Sequence, residues 1–233
     1  MHIFYTPHIR TTLELPEEES RHCVRVLRLA EGTEIRLMDG KGTFYRAAIT
    51  LAHPKHCTVS IIEKIPSPNP WNCTLHIAIA PTKNIDRIEW FAEKCTEIGI
   101  DAITLLHCRY SERKEVKNER IEKIIISAAK QSLKATLPAL SGITDFKKFI
   151  TQPFDGDKYI AHCYDQENKI LLKNACKPGT NTLVLIGPEG DFSTEEVEAA
   201  IAGGFIPVSL GNSRLRTETA GVVACHTLQL INE

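Results

Sequence analysis

Three prolines within five residues, Pro66-Ser67-Pro68-Asn69-Pro70, divide this chain into two stretches with different local grammar. Proline has no backbone N–H donor and holds φ near about −65°, so neither a helix nor a central strand runs through such a segment. Before it, His2 to Tyr5, Thr33 to Met38, Phe44 to Thr50 and Thr58 to Ile65 are short β-rich runs. Asp39-Gly40-Lys41-Gly42 is a hairpin turn between two of them, and one helix is expected from about Pro16 to Leu29. After the prolines, apolar strands alternate with amphipathic helices. Strands are expected at Leu75 to Ala80, Ala102 to His107, Tyr159 to His162, Leu183 to Ile186 and Ile206 to Leu210. Helices are expected at Asn84 to Ile98, around Glu115 to Leu133, at Thr194 to Ala202 and at Thr219 to Ile231. This pattern predicts a small β domain over residues 1–68, followed over 72–233 by a mostly parallel, helix-covered α/β sheet.

Composition excludes several classes. No apolar run approaches 18 residues, and no basic segment followed by an apolar stretch opens the chain, so neither a membrane span nor a signal peptide is expected and the location is read as cytoplasmic. The eight cysteines lack Cys-x-x-Cys pairs, and most read as small buried hydrophobes. His53 with His56 and Cys57, or His107 with Cys108, have no second pair at ligand spacing, so no metal is expected. A net charge of −1 gives no overall attraction to nucleic acid. One local cluster exists between His107 and Lys134, where eight bases outnumber the acids; a solvated helix laced with ion pairs explains it as well as an RNA contact does.

Two loops near the end carry the chemistry. Gly187-Pro188-Glu189-Gly190 follows the strand of Leu183 to Ile186, and Ser193 with Glu196 forms a capping box that starts the next helix. Leu210-Gly211-Asn212-Ser213-Arg214-Leu215-Arg216-Thr217-Glu218-Thr219-Ala220 joins another strand to the last helix, which Thr217 is expected to cap. In an open α/β sheet, ligands bind beyond the carboxyl ends of the strands, so two such loops imply one bound small molecule. No Gly-x-Gly-x-x-Gly follows a strand and no P-loop lysine exists, while Glu189 and Asp191 disfavour a phosphate. A neutral or cationic ligand fits better. The plainer alternatives are a tight strand-to-helix turn and a capped terminus with a surface ion pair. Near the start, Arg21, Arg25 and Arg28 stand at i, i+4 and i+7, a stripe suited to a phosphate backbone, although Glu17 could neutralise Arg21. Gln131 and Ser132 could hydrogen-bond a base edge. No Gly-x-Ser-x-Gly nucleophile elbow occurs.

Taken together, Gly187-Pro188-Glu189-Gly190, Leu210-Gly211 and Leu215-Arg216-Thr217-Glu218-Thr219-Ala220 resemble the carboxy-terminal signature of bacterial 16S ribosomal RNA uridine N-3 methyltransferases, of the SPOUT class. His22-Cys23-Val24-Arg25-Val26-Leu27-Arg28 resembles the family's amino-terminal helix motif, and Lys94-Cys95-Thr96-Glu97-Ile98-Gly99 its first-helix motif. The likeness spans nearly the whole chain. Two positions depart from it: Lys130 stands where the family commonly has Glu, and Lys134 where it commonly has Arg.

The resemblance implies a PUA-like β-barrel for RNA, then a SPOUT-type α/β domain with a C-terminal trefoil knot that binds S-adenosylmethionine. It implies a homodimer, no metal, and as substrate one uridine in the decoding region of 16S rRNA of the small ribosomal subunit. Cofactor contacts are expected from Leu185, Ile186, Gly187, Pro188, Glu189, Gly190, Leu210, Gly211, Leu215, Arg216, Thr217 and Ala220. RNA contacts are expected from Arg10, Arg21, Arg25, Arg28, Lys83, Arg109, Gln131, Ser132 and Lys134. Arg216 is the candidate for holding a uracil oxygen where charge develops, and Glu218 or Glu189 for positioning it or acting as base. Two rival classes make different demands. A nucleotide-phosphate enzyme predicts bases beside Gly187 where this chain has acids, and a non-catalytic RNA adaptor predicts no binding of S-adenosylmethionine.

Overall fold

A computed structural model describes residues 2–164 and 169–233 of the chain. Contacts divide it into two units, one of Met1–Pro70 with Ile126–Leu137, the other of Trp71–Ile125 with Pro138–Glu233.

The first unit is built on a four-stranded sheet in the order β1 (Ile3–Tyr5), β2 (Glu34–Met38), β3 (Thr43–Leu51) and β4 (Thr58–Pro66). β1 pairs parallel to β2, and the remaining pairs are antiparallel, joined at the expected Asp39–Gly42 turn. Alternation along β2 and β3 sends Ile35, Leu37, Tyr45, Ala47 and Ile49 into a core completed by Phe4, Ile9, Leu15 and Cys23. Residues 126–137 were assigned by sequence to the other domain. They join this unit because Ala129 and Ala135 pack with Met38 and Phe44, and because the Gly42 N–H donates to the Ala135 carbonyl at 3.0 Å.

The expected helix from Pro16 to Leu29 is not continuous. After α1 (Ile9–Thr12), an α-helical turn α2 (Glu17–Arg21) passes into a π-helical turn at His22–Val26. The Leu27 N–H reaches back to the His22 carbonyl, and Arg28 lies beyond the end with φ of +54°. A wider turn resets the helical phase, so Arg21, Arg25 and Arg28 do not form one stripe. Arg21 instead pairs with Glu17 at 2.7 Å.

The second unit holds a seven-stranded sheet in the order β7 (Ala139–Asp145), β6 (Ala102–His107), β5 (Leu75–Ile79), β10 (Thr182–Ile186), β8 (Asp157–Ala161), β11 (Ile206–Ser209) and β9 (Ile170–Leu171). All six pairings are parallel. Every residue of β10 is buried, as a strand with both faces covered requires. On one face lie α3 (Ile85–Ile98) and α8 (Thr217–Asn232); on the other, α5 (Phe146–Ile150) and α7 (Thr194–Ala202) close a core around Leu183, Leu185, Phe192 and Val197. The remaining helices are α4 (Asn118–Gln131) and the single turn α6 (Leu172–Ala175).

Helix ends follow local chemistry. The Asn84 side chain caps α3 by accepting the Asp86 N–H at 3.1 Å, and Gly99 ends the helix with φ of +128°. α3 buries Ile88, Phe91, Ala92 and Cys95, and each fully buried large apolar side chain contributes about 1.5–3 kcal/mol. Gly221 lets α8 approach this face, since a Cβ there would stand 2.5 Å from the Phe91 ring. The Ser193–Glu196 capping box of α7 is present in both directions. Thr217, however, is the first residue of α8 rather than its cap. Arg216 occupies the cap position and makes no side-chain cap bond.

Candidate active site

β10, β8 and β11 are neighbours and parallel, so their carboxyl ends release three loops at one edge of the sheet. The loops after Ala161, Ile186 and Ser209 enclose a cavity of about 600 Å³. Both loops singled out by sequence reach it. Ile186, Gly187, Pro188, Glu189, Leu210, Gly211, Leu215, Arg216, Thr217 and Ala220 all line it.

Two expected cofactor residues do not. The pleat turns Leu185 away, into the core with Phe192 and Val197. Gly190 sits instead against Tyr110, whose Cβ would lie 3.2 Å from an added methyl.

The walls are held by backbone bonds. Asp191, at φ of +66°, accepts the Cys163 N–H at 2.7 Å and its neighbour Phe192 N–H at 2.8 Å, pinning the loop after β8 to the loop after β10. Glu189 accepts the Lys83 N–H at 2.9 Å, tying the glycine loop to the turn before α3. Each carboxylate thus has backbone donors, while Arg87, Lys169, Arg214 and Arg216 also line the space. At Gly187 the backbone is closely approached, as an added Cβ would stand 3.1 Å from the Phe192 nitrogen. Partial desolvation, and after it Asp191, pushes the thiol of the exposed Cys163 above its ordinary range. It therefore stands at the cavity as a neutral group near pH 7 rather than as a nucleophile.

Sequence reasoning missed His162, Cys163, Lys169, Arg87 and Arg214. The first two follow the end of a correctly expected strand, and the rule that ligands bind at strand carboxyl ends could have found them. Nothing in the spacing marks Arg87.

Glu218 is placed differently from expectation. It does not line the main cavity but an adjoining hollow of about 340 Å³, with Asp86, Arg87, Trp90, Arg216 and Thr219. Its side chain is only 9% exposed, Arg87 Nε lies 3.8 Å from its Oε1, and Oε2 has no hydrogen-bond partner. Arg87 and Arg216 border both spaces.

Among the expected RNA contacts of the first unit, Arg10 donates to the Tyr45 hydroxyl at 2.7 Å and to Asp39 at 3.0 Å, bracing the hairpin turn. The Ser132 hydroxyl donates to the Ala128 carbonyl, and Gln131 is exposed. Lys134 follows Leu133, which has φ of +56°, and its N–H bonds back to Ala129. The charge at Lys130 is explained locally. Its ammonium meets the Glu19 carboxylate at 2.8 Å, and Glu19 also accepts the Tyr5 N–H.

In the second unit, Lys83 pairs with Glu112 at 2.9 Å, which raises its pKa, and the Arg109 N–H donates to Glu196 at 2.7 Å. Arg113 is bound to the Thr82 and Lys83 carbonyls, and Arg120 pairs with Asp86 and Glu89. Much of the basic cluster is therefore engaged within the fold. Among the described residues no group of three His, Cys, Asp or Glu could hold a metal ion, and no helix is long and apolar enough to cross a membrane.

Residues 69–229 match the RNA methyltransferase domain family, and residues 15–62 match the RNA methyltransferase PUA domain. The ribosomal RNA small subunit methyltransferase E of Synechocystis is 30% identical over 231 residues, 97% of this chain and 75% of that one. The chain belongs to the ribosomal RNA small subunit methyltransferase E family. A solved structure of a probable rRNA-methyltransferase from Porphyromonas gingivalis is 44% identical with a TM-score of 0.91, covering 99% of each chain. The methyltransferase E of Neisseria gonorrhoeae, crystallised with S-adenosyl methionine, is 27% identical with a TM-score of 0.84, covering 100% of this chain and 98% of the other. In this RNA methyltransferase the family match to residues 69–229 takes in every residue that lines the cavity.

Proposed function

We propose that this methyltransferase carries the methyl group of S-adenosylmethionine to N-3 of a uridine in the decoding region of 16S rRNA of the small ribosomal subunit. The observation that carries this reading is the convergence of Gly187–Gly190 and Leu210–Arg216 around one cavity beside an arginine and a buried glutamate. The cavity fits the cofactor. Ile186, Val208, Leu210, Leu215 and Ala220 offer apolar surface for an adenosyl group, and about 600 Å³ lies within the usual range of small-molecule sites. When bound, the cofactor supplies a methyl already activated by its sulfonium, so no metal is needed.

The uridine N-3 lies on the Watson–Crick edge, so the base must be unpaired to be reached. Neutral uracil carries a proton there. In this reading, the N3–carbon bond forms as the carbon–sulfur bond breaks, its electron pair stays on sulfur, and the N-3 proton passes to a carboxylate. Glu218, which lines the adjoining hollow with Arg87 and Arg216, is taken as that acceptor over the exposed Glu189, whose Oε1 already serves the Lys83 N–H. Arg216 then holds the uracil oxygen on which negative charge grows, with fixed paired donors. The remaining cations at the cavity suit the cofactor's carboxylate and the RNA phosphates.

The same proposal takes residues 1–68 as the RNA-holding PUA-like domain and 72–233 as the catalytic domain. The order of strands supports a threaded C-terminal knot, since β10 and β11 are inserted between strands that precede them in the chain. It further assigns a cytoplasmic homodimer. Mass spectrometry of small-subunit rRNA from a strain lacking the protein, with calorimetry of the purified chain against S-adenosylmethionine, tests the whole. An unmodified uridine in the deletion strain and a single-site binding isotherm are expected. Full methylation in that strain, or no cofactor binding, refutes the reading.

A further inference from the structure

Outside the cavity, the same edge of the sheet carries two partly exposed tyrosines. Tyr110, in the loop after β6, leaves 51% of its surface exposed, and Tyr164, in the loop after β8, leaves 39%. Neither lines the cavity, but each is joined to a loop that does. Tyr110 lies on the glycine loop, where a Cβ added at Gly190 would meet the Tyr110 Cβ at 3.2 Å. Tyr164 follows Cys163, whose N–H is held by Asp191, and its own hydroxyl donates to the Phe192 carbonyl at 2.7 Å. Its ring meets His162, with centroids 5.7 Å apart. The two phenols are also close to each other: after partial desolvation and Asp191, Tyr110 raises the pKa of Tyr164.

The backbone under Tyr110 is fixed. The Cys108 N–H donates to the Ser111 hydroxyl at 3.0 Å, the Ser111 N–H to the Cys108 carbonyl at 3.1 Å and the Arg109 N–H to Glu196 at 2.7 Å. A tyrosine held in this way offers a rigid flat face at little cost in conformational entropy.

We propose that Tyr110 and Tyr164 form a stacking platform for the rRNA nucleotides that flank the target uridine. This rests on the reading in which the target base enters the cavity. A base that enters leaves its strand, so its neighbours must cross the rim, and they arrive unpaired with their faces uncovered. Aromatic side chains cover such faces whatever the base, so the platform sets position rather than identity. Charge agrees with an RNA partner. From Arg109 to Lys117 four bases stand against two acids, Lys114 and Lys117 are exposed, and Glu112 is answered by Lys83 at 2.9 Å. Gly190 thereby gains a role outside the cofactor site. Its lack of a side chain lets Tyr110 rest on the loop that borders the methyl donor, which fixes the strand at a set distance from the methyl group.

The test uses the full-length chain and small ribosomal subunits from the deletion strain. Tyr110→Ala should raise the KM for the subunit about tenfold, with kcat at saturating subunit and S-adenosylmethionine affinity in calorimetry unchanged. Adding Tyr164→Ala should raise the KM further, whereas Tyr110→Phe should keep the wild-type value, because stacking uses the ring and not the hydroxyl. An unchanged KM in the double variant overturns the proposal. So does a KM raised as much by Tyr110→Phe as by Tyr110→Ala, which would assign a hydrogen bond instead. A double variant that dissociates to monomers in sedimentation also overturns it, since the tyrosines would then hold a second copy of the chain. If the wild-type chain methylates no uridine on these subunits, the underlying reading fails, and that result is seen before any variant is compared.

Discussion

The carboxyl-end loops of the seven-stranded sheet and the basic residues of the four-stranded unit were both marked by sequence as binding surfaces, and they turned out differently. In the first, residues more than twenty apart converge on one cavity that four cations also line. In the second, Arg10 braces a turn and Arg21 pairs with Glu17. The difference lies in what aligns the residues. Parallel strands must all end on the same edge, so their loops meet whatever their sequence. A stripe of arginines depends on unbroken helical phase, and one π-helical turn destroys it.

The largest effect expected concerns that converging edge. Arg216→Ala should lower the methylation rate about 100- to 1000-fold, as loss of a charge-stabilising donor does, with cofactor affinity nearly unchanged. A wild-type rate in a single-turnover assay would remove Arg216 from the chemistry and leave the two regions alike.

Next comes acid stability of the sheet. His76, hydrogen-bonded to Thr104 and enclosed by Phe149 and Phe154, has its pKa lowered by burial to about 4. The unfolded imidazole titrates near its ordinary value of 6.5, so between these values the unfolded chain binds more protons. The stabilisation is complete above about pH 6.5 and declines as pH falls toward 4, by up to about 3 kcal/mol. Urea titrations at pH 7 and pH 4.5 measure it, and His76→Gln should show a smaller drop.

A charge reversal probes the first unit. Lys130→Glu sets two half-buried carboxylates together with Glu19 and should cost about 1–3 kcal/mol, recovered in part by Glu19→Lys in the double variant. Equal stability of wild type and Lys130→Glu would show that the pair does not hold that unit together.

The smallest effect belongs to the broken stripe. Arg25→Ala with Arg28→Ala should weaken RNA binding and reduce its salt dependence by at most about 1.4 in the log–log slope, from about 0.7 per phosphate contact on a single strand. A slope unaltered within error would mean that these arginines face only solvent.

Much of the fold was legible because its signals are local. The Asp39–Gly42 turn, the Asn84 cap, the Gly99 stop and the Ser193–Glu196 box each set an element boundary through a few neighbouring residues. The strand β7 was missed, because Ala139–Asp145 lacks a β-rich run and is a strand only through its pairing with β6. Within the site, the two loops were legible as glycine-bearing joints after apolar strands. Arg87 and Trp90 were not, because on α3 they look like ordinary polar-face residues until α8 is packed beside them.

The amino-acid order by itself determined where elements start and stop, the division between β and α/β grammar, and the loops that leave the strand ends. Tertiary structure alone decided that residues 126–137 complete the first unit, that Lys130 answers Glu19, and that Glu218 turns away from the main cavity toward Arg87 and Trp90. The physical reason is range. Turns, caps and strand propensity are settled by groups a few bonds apart, whereas the partner of a buried charge is whichever distant segment packing brings within a few ångströms of it.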